Sequence, residues 1–201
     1  PTLTNIVQVI GGMWNLADVN VCIVFEVCER GSLRGLLDDS TGKKIGAATN
    51  RSPTTAAETA TAGAKLSWAK QKLHLATGVA RAMAHLHAQS PPIIHRDLKP
   101  ENVLVDDCYN SKLADFGTGR EVDLTRTMEA VGTPLFMAPE LLRHEQYDEK
   151  ADVWSFACVL ECLWTHEQVY EAAGDATAEL VRRVANHELR PAVGGGWLGE
   201  L

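Results

Sequence analysis

Residues 95–102 read His95-Arg96-Asp97-Leu98-Lys99-Pro100-Glu101-Asn102. The polar and turn residues of this stretch read as a loop between short strands. In an extended loop alternate side chains point the same way, so Asp97 and Lys99 share one side. Two more polar clusters follow: Asp115-Phe116-Gly117, then Gly132-Thr133-Pro134 leading to Ala138-Pro139-Glu140. A single Asp or Asn in a loop is most often a turn former or a cap. All three clusters lie between two helical patterns.

Before the loop, Ala69, Leu73, Ala76, Val79/Ala80, Met83 and Leu86 recur at steps of three and four. That spacing predicts an amphipathic helix, capped by Ser67 and ended by Pro91-Pro92. After the clusters, residues 151–164 (ADVWSFACVLECLW) hold eleven apolar residues among fourteen, which predicts a central buried helix. Its polar exceptions, Asp152, Ser155 and Glu161, therefore need partners. A last helix is predicted from Thr177 to His187. Ile93-Ile94, Val103-Leu104-Val105 and Lys112-Leu113-Ala114 read as short strands. Upstream, VCIVF at 21–25 reads as a buried strand. Glu26 to Ser32 is a connector with a turn at Gly31, and Leu33, Leu36 and Leu37 suggest a short helix. Residues 40–64 hold seven Ala, six Thr and three Gly but only one large aliphatic, Ile45. Such a stretch buries too little apolar surface to offset its ordering entropy, so it reads as a disordered surface insertion.

The chain has 201 residues and a net charge of -7. That length suits one domain or most of one. The acidic balance argues against a nucleic-acid-binding surface. Five cysteines are scattered without a CxxC pair. Neither a disulfide framework nor a zinc site is indicated, and a reducing, cytoplasmic compartment fits best. The apolar runs are far too short to cross a bilayer. The first methionine is Met13, so Pro1 is not expected to be a translation start.

The 95–102 loop, Asp-Phe-Gly and Ala-Pro-Glu resemble, in order and spacing, the catalytic loop, DFG element and APE element of the protein kinases. The resemblance implies an α+β, protein-kinase-like fold, mainly the helical large lobe plus the last strands of the small lobe. Residues 1–25 become a small-lobe remnant, 26–32 the hinge and 33–201 the large lobe. The implied activity is ATP-dependent phosphorylation of protein hydroxyls, with ATP and Mg²⁺ as cofactors. The implied partners are a protein substrate carrying Ser or Thr and an upstream activating kinase. Catalysis in that reaction is positioning plus neutralisation of charge. Asp97 then orients the substrate hydroxyl and accepts its proton, and Lys99 reaches the γ-phosphate. Asn102 and Asp115 supply oxygen ligands of the kind Mg²⁺ prefers. Glu26 and Cys28 offer backbone groups to adenine, Leu104 belongs to the same cofactor site, and Phe25 falls at the gatekeeper position.

The same resemblance gives other residues a structural part. His95 and Phe116 pack in the hydrophobic spine and do not react. Asp152 anchors the loop backbone. Arg96 pairs with a phosphorylated residue within 115–140, with Thr125, Thr127 and Thr133 as candidates and Thr127 preferred. Thr133 is expected to touch the catalytic loop and to mark a hydroxyl-substrate preference. Asp-Leu-Lys-Pro-Glu-Asn is the Ser/Thr form of the loop. Leu66-Ser67-Trp68, Leu86-His87 and Pro92-Ile93-Ile94-His95 look like the tyrosine-kinase-like group of Ser/Thr kinases. No GxGxxG run or VAIK-type lysine precedes the hinge, and the family's arginine partner for Glu140 has no counterpart. Residues 1–201 alone are therefore expected to transfer little or no phosphate. A kinase-like interaction module without catalysis is the alternative.

Overall fold

The computed structural model describes residues 4–15, 20–41, 71–115, 120–121 and 133–192. Two strands, β1 (Val9–Asn15) and β2 (Asn20–Phe25), form an antiparallel hairpin in which Gly12 faces Ile23 and Met13 faces Cys22. Helix α1 (Leu33–Thr41) follows, so Ser40 and Thr41 are helical and the expected boundary of the insertion at residue 40 is corrected. The rest of that insertion, and Ser67, lie outside the described residues. Helix α2 (Leu73–His87) leads through β3 (Ile93–Ile94) into the 95–102 loop, whose Pro100–Asn102 make one 3₁₀ turn. Strands β4 (Val103–Val105) and β5 (Ser111–Leu113) pair antiparallel. A strand the sequence did not announce, β6 (Arg120–Glu121), pairs with β3. Helices α3 (Pro139–Leu142), α4 (Lys150–Thr165) and α5 (Thr177–Ala185) complete the order. Among the described residues, no helix is long and apolar enough to cross a membrane.

Helix α2 buries Leu75, Ala76, Val79, Ala82, Met83 and Leu86. Leu73, which the periodicity put on the inner face, is exposed: it lies in the first turn on the line of Thr77 and Ala80, away from the core. These residues pack with Leu33 and Leu37 of α1, Leu98, Val103, Leu113, and Cys158, Val159 and Cys162 of α4. A second cluster joins Ile94, Met137, Ala138, Leu141, Tyr147 and Ala151. Full burial of each large aliphatic contributes about 1.5–3 kcal/mol. The 95–102 loop runs from Ile94 in the second cluster to Val103 in the first, with Leu98 of the first cluster at its middle, so packing fixes it at both ends and between.

The segment before β1 joins this body through backbone bonds. Val7 donates to Leu113 O (3.0 Å) and Leu113 donates to Asn5 O (2.9 Å). Asn5 Nδ2 also donates to Ser111 O (2.9 Å), and Ser111 Oγ to Leu75 O (2.9 Å). Gly78 makes this approach possible, because a Cβ there would lie 2.1 Å from Ser111 Oγ and 2.7 Å from Asn5 Nδ2.

Candidate active site

The carboxylate of Asp97 is filled by four donors. Its Oδ1 accepts the Thr133 N–H (2.9 Å) and the Thr133 hydroxyl (3.1 Å). Its Oδ2 accepts Asn102 Nδ2 (3.0 Å) and lies 2.8 Å from Lys99 Nζ. Lys99 Nζ also donates to Thr133 Oγ1 (2.7 Å), so Asp97, Lys99 and Thr133 close a ring of contacts. An ionised carboxylate has about four acceptor sites, and here all are used, which holds the group in one orientation. A hydroxyl arriving at Asp97 must replace one of these donors. Asn102 Nδ2 makes a second bond, to Asp97 O (2.8 Å), so the amide nitrogen is committed inward and the amide oxygen is left for another partner.

Beneath this ring sits Asp152 of α4, fully buried. Its Oδ2 accepts the His95 N–H and its Oδ1 the Arg96 N–H, both at 2.9 Å. Arg96 has φ +66°, a left-handed conformation that is costly for a side chain of its size. The two N–H bonds to a buried carboxylate hold the backbone there. His87 Nε2, at the end of α2, lies 2.8 Å from the same Oδ2. His95 is buried and uses both ring nitrogens: Nε2 donates to Ala114 O (2.9 Å) and Nδ1 accepts the Asp97 N–H (3.3 Å). These partners set one neutral tautomer and a positioning part for the ring. Ala114 N–H donates to Asn102 O (2.9 Å), so the residue before Asp115 is clamped on both sides. Asp115 follows with φ +62° and is exposed, and among the described residues no hydrogen bond or ion pair occupies its carboxylate.

Residues 2–190 match the family described as protein kinase domain. The chain belongs to the protein kinase family. A probable serine/threonine-protein kinase of Dictyostelium discoideum is 47% identical over 119 residues, which is 59% of this chain and 9% of that protein. A putative serine/threonine-protein kinase/receptor of Acanthamoeba polyphaga mimivirus is 36% identical over 156 residues, 78% of this chain and 8% of its own length. The probable serine/threonine-protein kinase drkB of Dictyostelium discoideum is 33% identical over 188 residues, 93% of this chain and 23% of its own length. The chain thus spans less than a quarter of each of these relatives.

In this kinase domain the expected adenine residues lie where β2 ends. The Glu26 N–H donates to Gln8 O (3.0 Å), and the Cys28 carbonyl accepts the Gly31 N–H (3.0 Å). The Glu26 carbonyl and the Cys28 N–H have no partner among the described residues. Burial, and then the Glu26 charge, push the buried Cys28 thiol up. Leu104 is half-buried on β4, with Ser32 bridged to it. Phe25 is half exposed. The protein kinase family uses ATP and Mg²⁺, and the donors here suit a hard cation: one amide oxygen, from Asn102, and one carboxylate, from Asp115.

The polar exceptions on α4 all have partners. Beyond Asp152, Ser155 Oγ donates to Phe136 O (2.7 Å), and Glu161 accepts the Tyr170 N–H (2.9 Å) and the Ala192 N–H (2.8 Å). Cys158 and Cys162 are buried core residues; desolvation pushes the Cys162 thiol up to about 12 and Cys158 higher still. The Glu140 carboxylate has no hydrogen bond or ion pair among the described residues, while its carbonyl accepts the Glu145 N–H (2.9 Å). Phe116, Gly117, Thr125 and Thr127 lie outside them. Two functional contacts were missed from sequence: His87 as the third partner of Asp152, and Lys112, whose ammonium meets Glu26 at 2.8 Å. The basic side chain ending α2 was a signal for the first; nothing local pointed to the second.

Proposed function

We propose that this kinase domain transfers the γ-phosphoryl group of ATP to protein serine and threonine hydroxyls. The observation that carries the reading is the closed set of contacts among Asp97, Lys99, Asn102 and Thr133. Asp97 is the base that orients the incoming hydroxyl and takes its proton, a role worth a factor of about 10²–10⁴. Lys99, held beside it, neutralises charge on the transferring phosphoryl. The Thr133 hydroxyl already sits against both groups, which supports an aliphatic hydroxyl as the substrate. Asn102 and Asp115 would hold Mg²⁺, which supplies neutralisation of phosphate charge when bound. The Glu26 carbonyl and Cys28 N–H read the adenine edge, with Leu104 in the same site. Residues 1–25 belong to the small lobe, 26–32 to the hinge and the remainder to the large lobe.

Arg96 supports regulation by an upstream kinase. Its Nε is buried without a partner among the described residues, the setting in which a phosphorylated residue of the 115–140 segment, Thr127 first, gains a charge-assisted bond. Five free cysteines support a reducing, cytoplasmic setting. The test is phosphoamino-acid analysis after the full-length protein is incubated with labelled Mg-ATP and serine, threonine and tyrosine peptides. Label on serine and threonine is expected. Label on tyrosine alone, or none, overturns the proposal.

A further inference from the structure

Glu26 does more than present a backbone carbonyl. Its Oε1 accepts the Gln8 N–H (2.8 Å) and the Lys112 ammonium (3.0 Å), and its Oε2 lies 2.8 Å from the same nitrogen. The Glu26 and Lys112 side chains are 23% and 13% exposed. Such shielding makes the attraction stronger than that of a fully exposed pair. One carboxylate therefore joins three segments: the residue before β1, the 26–31 connector and β5. Among the described residues it makes the only hydrogen bond or ion pair between residues 25–28 and β5.

What lies beyond Lys112 gives the pair its meaning. Leu113 is bonded at its N–H and C=O to Asn5 and Val7, and Ala114 at both groups to Asn102 and His95. Asp115 follows, with no unbonded residue between. Lys112 and the Asp115 carboxylate thus lie on one stretch whose intervening residues are all bonded. At the other end, a shift of Glu26 moves the carbonyl assigned to adenine. We infer that the Glu26–Lys112 pair couples the adenine end of the nucleotide site to its metal end. Both side chains act as positioning groups in this, and the inference rests on the reading of Glu26 and Asp115 proposed above.

Calorimetric titration of the full-length protein with Mg-ADP, and with adenosine free of metal, tests this. Lys112→Met and Glu26→Gln should each weaken Mg-ADP binding about fivefold. The double variant should lose about the same fivefold, because the second substitution removes a pair already broken. Lys112→Arg should stay within about twofold of wild type, and Lys112→Met should shift adenosine affinity by less than about twofold. Thermal unfolding of each variant reports whether it folds. Equal losses for adenosine and Mg-ADP, or losses that multiply in the double variant, overturn the coupling. If the wild type binds Mg-ADP no better than Asp115→Asn does, the site reading itself fails, and the coupling with it.

Discussion

The 95–102 loop and the β1–β2 hairpin are both short, and both carry strong local sequence signals, yet opposite forces hold them. The loop is polar and lies against the core. Asp152, Thr133, Asn102 and Ala114 partner the His95 and Arg96 N–H groups, the Asp97 carboxylate and the His95 ring, and Ile94, Leu98 and Val103 pin the loop to the core. The hairpin is apolar, and the described residues leave its side chains uncovered: Ile10, Met13, Trp14 and Ile23 are 60–72% exposed, so the burial expected of β2 is not found. Backbone pairing sets its register, and its side chains add little. A buried polar network specifies one conformation, because any other leaves charged or hydrogen-bonding groups unmet. An exposed apolar ladder specifies a register and leaves a surface prone to association.

Substitutions that strip each region of its support separate the two cases. Asp152→Ala should be the most damaging, removing the buried acceptor of the His95 and Arg96 N–H groups and of His87. A loss of about 3–5 kcal/mol in urea unfolding is expected. Gly78→Ala comes next. Alanine favours a helix by about 1 kcal/mol, but its Cβ would collide with Ser111 and Asn5. Overpacking of that kind costs about 1–3 kcal/mol, so net destabilisation is expected from the same unfolding curves. Ser155→Ala leaves the Phe136 carbonyl unmet and should cost about 1 kcal/mol by the same measure. Trp14→Ser on the hairpin should change stability by less than about 0.5 kcal/mol while reducing self-association in sedimentation. If Trp14→Ser proves as destabilising as Asp152→Ala, the contrast between the regions collapses.

The loop was legible in the sequence because its working residues are contiguous. Asp97, Lys99 and Asn102 lie within six positions. The need of Asp152 for partners was legible too, since a carboxylate in so apolar a helix cannot stay unmet. That one of those partners is His87 was not, because the two are joined by folding across 65 positions and no local periodicity reports it. The Glu26–Lys112 pair is hidden for the same reason, spanning 86 positions. Helix α1 runs into a stretch whose composition reads as unstructured: composition averages over a window, while Leu33 and Leu37 dock the helix one turn at a time.

The central claim is that Asp97 serves the chemical step and not nucleotide binding. The direct test compares Asp97→Asn with wild type in the full-length protein, measuring Mg-ATP affinity and phosphoryl transfer in parallel. Affinity should stay within about twofold, while transfer to a serine peptide falls by about 10²–10⁴. Transfer at near wild-type rate, or a collapse of Mg-ATP binding to match the lost activity, would contradict the role assigned to this carboxylate.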